Sequence, residues 1–302
     1  MKVSLIIATH ERPGLLRRAL ASVARQSFPD IETIVVDDNG LGTHQQQQTG
    51  NVVAEFGGMT YVANPKNIGK AASMNIAAKL AQGEIIAFLD DDDEFHPDKI
   101  TQQVARLEST QAAGVYCNYE RTFRGNLYYR SSLKRGKDEG DLALDMLLGK
   151  NEICGGSTLA IWRRAFHDAG GFNESFRRHV DWSFLLSFFR NHTLCLCEET
   201  LVTIHMPDNL WKISPEALFD AKQLLFSTYS EDIARHGEAA LDIHFRHWMD
   251  VYSQSLRARK FGLAAKCLAL SLQHGRMDVP RFARSTASAL KHMTLKSRSR
   301  IG

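Results

Sequence analysis

Glu84-Ile85-Ile86-Ala87-Phe88-Leu89-Asp90-Asp91-Asp92-Asp93 is the stretch that decides how this chain is read. An unbroken apolar run bounded by Gly83 on one side and four carboxylates on the other reads as a buried strand ending at a polar edge. Four adjacent carboxylates repel one another, so leaving them at a strand end is costly without a cation. A hard divalent ion with oxygen ligands is the simple remedy, and Mg²⁺ or Mn²⁺ usually keeps part of its shell for phosphate oxygens. The bland alternative is a solvated acidic turn whose Asp93 or Asp98 caps a helix over 99–108. Charge runs taken alone favour that alternative.

The neighbouring elements shift the balance. Residues 3–8 read as a buried strand followed by Thr9-His10-Glu11-Arg12, and residues 31–36 as a second strand followed by Asp37-Asp38-Asn39. In open α/β sheets, ligands bind beyond the carboxyl ends of the strands. Three polar strand ends therefore point to one ligand site. Between these strands, Pro13 opens a helical pattern through Leu15, Leu16, Ala19, Leu20 and Val23. A looser Gln-rich stretch, 44–50, precedes a short strand near 59–63. Residues 67–81 are Ala-rich and helical, with Gly83 where a C-terminal cap belongs. Strands at 114–119, 157–161 and 200–205 and helices at 162–169 and 182–190 follow. The alternation predicts an α/β fold with a mostly parallel central sheet and helices on both faces. After about Pro215 only helical patterns remain, over 217–236, 239–260 and 263–274. The expected organisation is a domain over 1–210 and a C-terminal helical segment over 211–302.

Composition narrows the class. The chain has 302 residues, 44% hydrophobic and 24% charged, which suits a globular protein and excludes disorder, collagen-like repeats or coiled coil as the main architecture. Its longest apolar run, 85–89, falls far short of the roughly 20 residues of a membrane helix. The N-terminal apolar run is too short for a secretory signal and ends in charges. Five sparse cysteines fit reduced thiols, with Cys195 and Cys197 on one face of a strand as core residues. A cytoplasmic location is expected. The net charge of +3 hides a tail of +6 over 276–302, which leaves −3 on the other 275 residues. A general nucleic-acid field is therefore unsupported, and no GxxxxGK[ST] phosphate loop is present.

The ordered set Ala8-Thr9-His10-Glu11-Arg12, Val35-Val36-Asp37-Asp38-Asn39, Asn67-Ile68-Gly69-Lys70 with Asn75, and Phe88 through Asp93 resembles the motifs of family 2 glycosyltransferases. The likeness continues through Gly170-Gly171-Phe172-Asn173-Glu174 and His179-Val180-Asp181, and more faintly to His205, covering about residues 1–210. The resemblance implies a GT-A-like fold and an inverting transfer from a nucleotide-diphosphate sugar, with UDP as the expected nucleotide. It implies that Thr9, Arg12 and Asp38 line the nucleotide pocket, Asp38 accepting from the uracil ring, with His10 packing on the base. By the same likeness Lys70 lies against the pyrophosphate and Asp92 is a metal ligand. Asp90 and Asp91 stand for the ribose side, with Asp90 shared with the metal; Asp181 matches the general base, and His205 a late metal or phosphate ligand. Two departures stand out. The first motif commonly reads Thr-Tyr-Asn-Arg, and a Glu usually precedes the late Asp, where this chain has Val180.

Each role has a plainer counterpart. Asp181 could cap the helix that follows it, Lys70 could be a solvated helix residue, and His205 a strand histidine with its hydrogen bonds met. Gly155-Gly156 could be a turn or a close approach of backbone to the donor sugar. Rival functions are a sugar nucleotidyltransferase, which would want a glycine-rich basic loop after the first strand, and a non-catalytic nucleotide-sugar-binding protein. The expected partners are the nucleotide-sugar donor and a glycan or lipid-linked glycan acceptor, as in surface polysaccharide or glycoconjugate assembly, with a Mn²⁺ or Mg²⁺ cofactor. Basic residues Lys291, Lys296, Arg298 and Arg300 suit either a solvated end or peripheral contact with the cytoplasmic face of an inner membrane. The amphipathic helices after Pro215 suit either a homodimer or cover for the sheet.

Overall fold

A computed structural model describes residues 1–150, 153, 156–207, 214–274, 278–280 and 282–287. In chain order the elements are β1 (Val3–Thr9), α1 (Pro13–Ala24), β2 (Ile31–Asp37), α2 (His44–Ala54), β3 (Thr60–Ala63), α3 (Lys70–Leu80), β4 (Ile85–Phe88), β5 (Asp93–Phe95) and α4 (Lys99–Glu108). Then come β6 (Gly114–Phe123), β7 (Asn126–Arg130), α5 (Ala143–Leu147), a 3-10 turn (Gly156–Thr158), β8 (Ala160–Trp162), α6 (Arg163–Asp168), α7 (Val180–Phe188) and β9 (Leu194–Met206). Helices α8 (Pro215–Thr228), α9 (Ser230–Ala234), α10 (Ala239–Arg257) and α11 (Phe261–His274) complete the described elements. The chain divides into two compact units, Met1–Met146 with Asn151–Asp208, and Leu147–Lys150 with Asn209–Gly302.

The first unit is built on a sheet ordered β3-β2-β1-β4-β8-β6-β9-β5, with β7 paired to β6. Strands β1, β2, β3 and β4 are mutually parallel. Beyond β4 the sheet is mixed: β8 runs antiparallel to β4 and β6, while β9 runs parallel to β6. The period-two pattern of each strand feeds two cores. Val3, Leu5 and Ile7 join Leu16 and Leu20 of α1, Val52 and Val53 of α2, and Ile100, Val104 and Leu107 of α4 in one cluster. On the opposite face Phe88 packs against Phe166 and Phe172 at centroid distances of 5.7 and 5.3 Å. There α3 lies against β1 and β2 with Ala71, Met74 and Ala78 buried. Helices thus cover both faces.

Local departures from the sequence reading have identifiable causes. The Gln-rich stretch is the first part of helix α2: Thr43 Oγ1 accepts from Gln46 N at 3.1 Å, and Val52 and Val53 near the helix's end are buried. Helix α3 ends without a glycine cap, at Ala81 with φ −60°. Gly83 serves a different purpose, since a Cβ there would stand 2.6 Å from Ser4 N and 2.8 Å from Lys2 O, both backbone atoms of the β1 edge. Residues 156–158 form a 3-10 turn, because the Ser157 hydroxyl is drawn to the acidic run. Strand β9 takes in Cys195 and Cys197, both buried in the core, as one 13-residue element. Strand β7 carries no apolar alternation and escapes the pattern altogether.

The second unit is helical in its described residues. Phe226 centres its packing, 5.3 Å from Trp248 and stacked at 4.2 Å on His244, while His247 Nε2 bonds Leu147 O at 2.9 Å. No helix among the described residues is long and apolar enough to cross a membrane. The basic tail residues Lys291, Lys296, Arg298 and Arg300 lie outside the described residues.

Lys99 opens α4 at 0% exposure, its Nζ 4.1 Å above the Phe95 ring and, among the described residues, without a hydrogen-bond partner. Burial pushes its ammonium down to about 8 from the ordinary 10.5. The unfolded chain therefore holds more protons between those values, and stability rises with pH through that window. Lys99→Met should raise stability at pH 7 by roughly 3 kcal/mol and abolish the rise between pH 8 and 10.5, read from urea unfolding at pH 7 and 10. Gly83→Ala, pressed against backbone that cannot yield, should cost roughly 1–3 kcal/mol in the same measurement.

Candidate functional site

The parallel strands β1, β2 and β4 end side by side, with Thr9 in register with Asp37, and the residues that follow converge on one cavity of about 380 Å³. It is lined by Ala8, Thr9, His10, Glu11, Arg12, Asp38, Lys70 and Asp91. A larger hollow of about 820 Å³, touching Glu84, Trp162 and Arg163, lies at the amino end of β4 and contains none of these groups. The smaller cavity carries the chemistry.

Arg12 reaches across the acidic run. Its NH1 donates to Asp91 Oδ1 at 3.2 Å and to Asp92 Oδ2 at 2.9 Å, while Thr9 Oγ1 donates to Asp91 Oδ2 at 2.7 Å. Arg18, on α1, donates to the Asp92 carbonyl at 2.6 Å. Burial raises the Asp91 carboxyl to about 6, although Thr9 and Arg12 pull it down. Burial works against the charge of Arg12 too, but Asp91 and Asp92 raise its guanidinium above its ordinary value.

Asp38 is buried and spends both oxygens on the loop before α3. Oδ1 accepts from Asn64 Nδ2 and Ile68 N, and Oδ2 from Gly69 N, all at 2.8 Å. Gly69 sits at φ +96°, a backbone conformation that costs a side chain dearly. That turn aims Lys70, the first residue of α3, back at the strand ends. Lys70 Nζ lies 2.6 Å from Asp90 Oδ1. Desolvation opposes its charge, but Asp90, then Asp181 and Asp92, raise its pKa above the ordinary lysine value.

Asp90, Asp92 and Asp93 can each offer one carboxylate oxygen within 4.8 Å of the others, a group able to hold a metal ion. An all-oxygen, all-anionic donor set suits a hard divalent cation. Asp93 is buried, and burial, with Asp90 next, pushes its carboxyl well above the ordinary range. That unmet charge is what a cation would relieve. Ser157 Oγ donates to Asp93 Oδ2 at 2.5 Å and accepts from Asp90 N at 3.0 Å, which fixes both ends of the run. Asp93 belongs to the acidic run for which the sequence suggests a cation, but the family resemblance names only Asp90 and Asp92 of that run as ligands; its place after a buried strand, three residues from Asp90, is the signal for it.

His205 is not in that group. Its Nε2 lies 2.8 Å from Glu94 Oε1 and its Nδ1 3.0 Å from Thr122 Oγ1, so both ring nitrogens are engaged between β5 and β6. It was expected among the metal ligands, and the parallel pairing of β9 with β6 sets it opposite Thr122 instead. Asp181 stands inside the first turn of α7, which starts at Val180, with His179 at φ 58° in the cap position. Burial raises its carboxyl, Lys70 opposing and Asp90 adding to the rise. Gly156 comes within 3.6 Å of Asp90 Oδ1 as measured from an added Cβ; Gly155 lies outside the described residues.

Asn75 ties this loop to α3. Its Nδ2 donates to Phe172 O at 2.8 Å and Glu174 Oε1 at 2.9 Å, and its Oδ1 accepts from Phe172 N at 2.9 Å. Arg18, Asn64 and Ser157 are contributors that no spacing in the sequence announced.

Among known proteins, residues 4–170 match the profile described as glycosyl transferase family 2. An uncharacterized glycosyltransferase of Rickettsia prowazekii (strain Madrid E) is 27% identical over 205 residues, 66% of this chain and 62% of that protein. The putative colanic acid biosynthesis glycosyl transferase WcaA of Escherichia coli (strain K12) is 36% identical over 117 residues, 38% of this chain and 42% of that protein. The chain thus spans less than two thirds of the length of either relative. S. aureus TarS 1–349, solved in complex with UDP-GlcNAc, superposes with a TM-score of 0.71 at 17% identity, covering 100% of this chain and 92% of its own. That likeness speaks to the fold, and it is the GT-A-like arrangement of a mixed sheet with a C-terminal helical segment. With more than half of its length matched by the family profile, the chain belongs to glycosyl transferase family 2.

Proposed function

We propose that this protein transfers a sugar from a nucleoside-diphosphate donor, a UDP-sugar, to an acceptor hydroxyl with inversion at the anomeric carbon. The observation that carries the reading is the Lys70–Asp90 ion pair at the parallel strand ends, where Lys70 also feels the charge of Asp181, beside the acidic group that suits a divalent cation. Family membership supports it, as does a neighbour in fold, TarS, solved with UDP-GlcNAc and with UDP. The colanic acid assignment of WcaA favours a role in surface polysaccharide or glycoconjugate assembly.

In this reading the base enters between His10 and Asp38, where Asp38 retains lone-pair capacity beyond the three hydrogen bonds it already accepts. Asp91 takes the ribose side, and Arg12 and Lys70 bring positive charge toward the diphosphate. Asp90, Asp92 and Asp93 would hold Mn²⁺ or Mg²⁺, which when bound supplies Lewis-acid neutralisation of the leaving diphosphate. Asp181 accepts the proton of the acceptor hydroxyl as its oxygen attacks the anomeric carbon from the face opposite the nucleotide. The bond to the diphosphate oxygen breaks in the same displacement, and its electron pair leaves with the nucleoside diphosphate. Burial raises the basicity of Asp181, which favours uptake of a proton, and the Lys70 ammonium opposes that rise. Glu11, in place of the commoner amide, turns its backbone N–H to Asn39 Oδ1 at 2.7 Å.

Calorimetry with UDP, GDP and CDP, with and without Mn²⁺, tests the donor site. UDP should bind only with Mn²⁺, and Asp92→Ala should abolish that binding. A preference for GDP or CDP would overturn the uracil role of Asp38, and no nucleotide binding under any condition would overturn the reading as a whole. Asp181→Asn should lower kcat on the order of 10²–10⁴-fold while UDP affinity stays at the wild-type level. A loss of affinity with kcat preserved would assign Asp181 to the donor pocket instead.

A further inference from the structure

Strand β6 runs on past β8, with β9 beside it as far as Met206 opposite Phe123, and turns back as β7 through Arg124 and Gly125, both at positive φ (51° and 79°), a two-residue hairpin turn. Ala87 of β4 and Val115 of β6 both pair with Ala160, and β6 and β4 run in the same direction. Counted from that level, the turn lies about six residues beyond Asp90, roughly 20 Å along the strand. The hairpin therefore projects from the same edge of the sheet as the candidate site. Close to its turn it is tied through β9 to β5, because Thr122 bonds His205 and His205 bonds Glu94, the residue after Asp93.

Two features of the hairpin are unusual together. The hairpin carries Arg121, Arg124 and Arg130, and Lys134, Arg135 and Lys137 follow β7 at its base, where Leu133 O accepts from Asn118 Nδ2; residues 121–137 thus hold six Lys or Arg and no acid. With +6 here and +6 over 276–302, the chain's net +3 leaves −9 on everything else, so the basic patch stands on an acidic body. Some of this charge is shared: Arg130 pairs with Glu120 at 2.8 Å, and Arg121 lies over the rings of Tyr119 and Tyr129. The second feature is apolar. Leu127 and Tyr128 are 57% and 68% exposed on β7, which pairs only with β6 among the described strands.

We propose that the β6–β7 hairpin docks on an anionic lipid bilayer, with Leu127 and Tyr128 entering the headgroup region and the basic residues lying against lipid phosphate. Basic clusters are drawn to anionic leaflets, and an amphipathic Tyr ring is at home at that interface. A soluble polyanion would use the charge but gain nothing from Leu127 and Tyr128. A second copy meeting edge to edge at β7 would set two cationic hairpins against each other. A bilayer uses both features. Taken with the transferase reading on which this step rests, the hairpin would bring the strand ends to a surface that carries a lipid-linked acceptor; the docking itself does not depend on that reading.

Flotation of the full chain with vesicles of phosphatidylcholine alone, and with phosphatidylglycerol in equal parts, tests it. Binding should require phosphatidylglycerol and weaken as salt rises. Each charge near such a surface is worth roughly fivefold in affinity, so Arg121→Gln/Arg124→Gln/Arg130→Gln should lose on the order of a hundredfold. Leu127→Ser/Tyr128→Ser should weaken vesicle binding yet leave binding to polyphosphate unchanged. Wild-type vesicle affinity in both variants would overturn the proposal and assign any binding to the C-terminal tail. Absence of binding, or equal loss of polyphosphate binding in the Leu127/Tyr128 variant, would also overturn it. UDP calorimetry on each variant, at sites remote from the cavity, checks the fold and separates failure of docking from failure of the donor-site reading.

Discussion

Repulsion among Asp90, Asp91, Asp92 and Asp93 is the constraint that the surrounding structure answers. Two unit charges 4 Å apart at a protein surface interact by about 4 kcal/mol at an effective dielectric near 20, and here four follow one another from a fully buried strand. The chain meets each differently. Asp90 receives Lys70, Asp91 receives Thr9 and Arg12, Asp92 shares Arg12, and Asp93 receives Ser157. Those partners come from β1, from the loop after it, from α3 and from the turn before β8. The run thus dictates where four otherwise distant segments must arrive. Even so, burial holds Asp91 and Asp93 above the ordinary carboxylate range, with their acidic neighbours adding to the rise, so their partners only partly offset the cost of charge at that edge.

The second organising link is between α3 and the loop leading into α7. Asn75 holds the Phe172 backbone and Glu174, while Gly69 sets Lys70 at the head of the same helix. One rigid element therefore carries the cation for Asp90 on its first turn and the anchor for the Asp181 loop one turn later. Residues that look like recognition motifs in the sequence, Gly171-Phe172-Asn173-Glu174 among them, do their work here as a joint between elements.

Most of the parallel half of the sheet is legible because its strands are apolar runs stopped by turn residues, and because the apolar stripe of α1 and the Ala-rich α3 mark helices between them. The candidate site was legible where chemistry and strand ends coincide, at Thr9, Arg12, Asp38 and Asp90 through Asp92. What escaped the sequence was decided by tertiary contact. The polar run at 44–50 is helical because Thr43 caps it and Val52 and Val53 reach the core. Gly83 looked like a helix cap and is instead a clearance for the β1 backbone. His205 looked available and is held from both sides by Glu94 and Thr122. Strand β7 pairs with the stretch of β6 that β8 leaves uncovered, and nothing in Asn126-Leu127-Tyr128-Tyr129-Arg130 alternates.

Strands β4 and β5 are joined by only Leu89, Asp90, Asp91 and Asp92, yet three strands stand between them in the sheet order. Four strand spacings in a flat sheet measure about 19 Å. Five residue steps from Phe88 to Asp93 reach about 18 Å when drawn taut, and this run is not taut, since Asp93 N bonds Asp90 O at 3.1 Å. The sheet must curl until its far edge returns beneath β4. The acidic run is therefore also a clasp: the same four residues that gather the site's charge close the sheet on itself. Any force that draws their carboxylates together pulls on β5, and through β5 on the β9 strand paired with it.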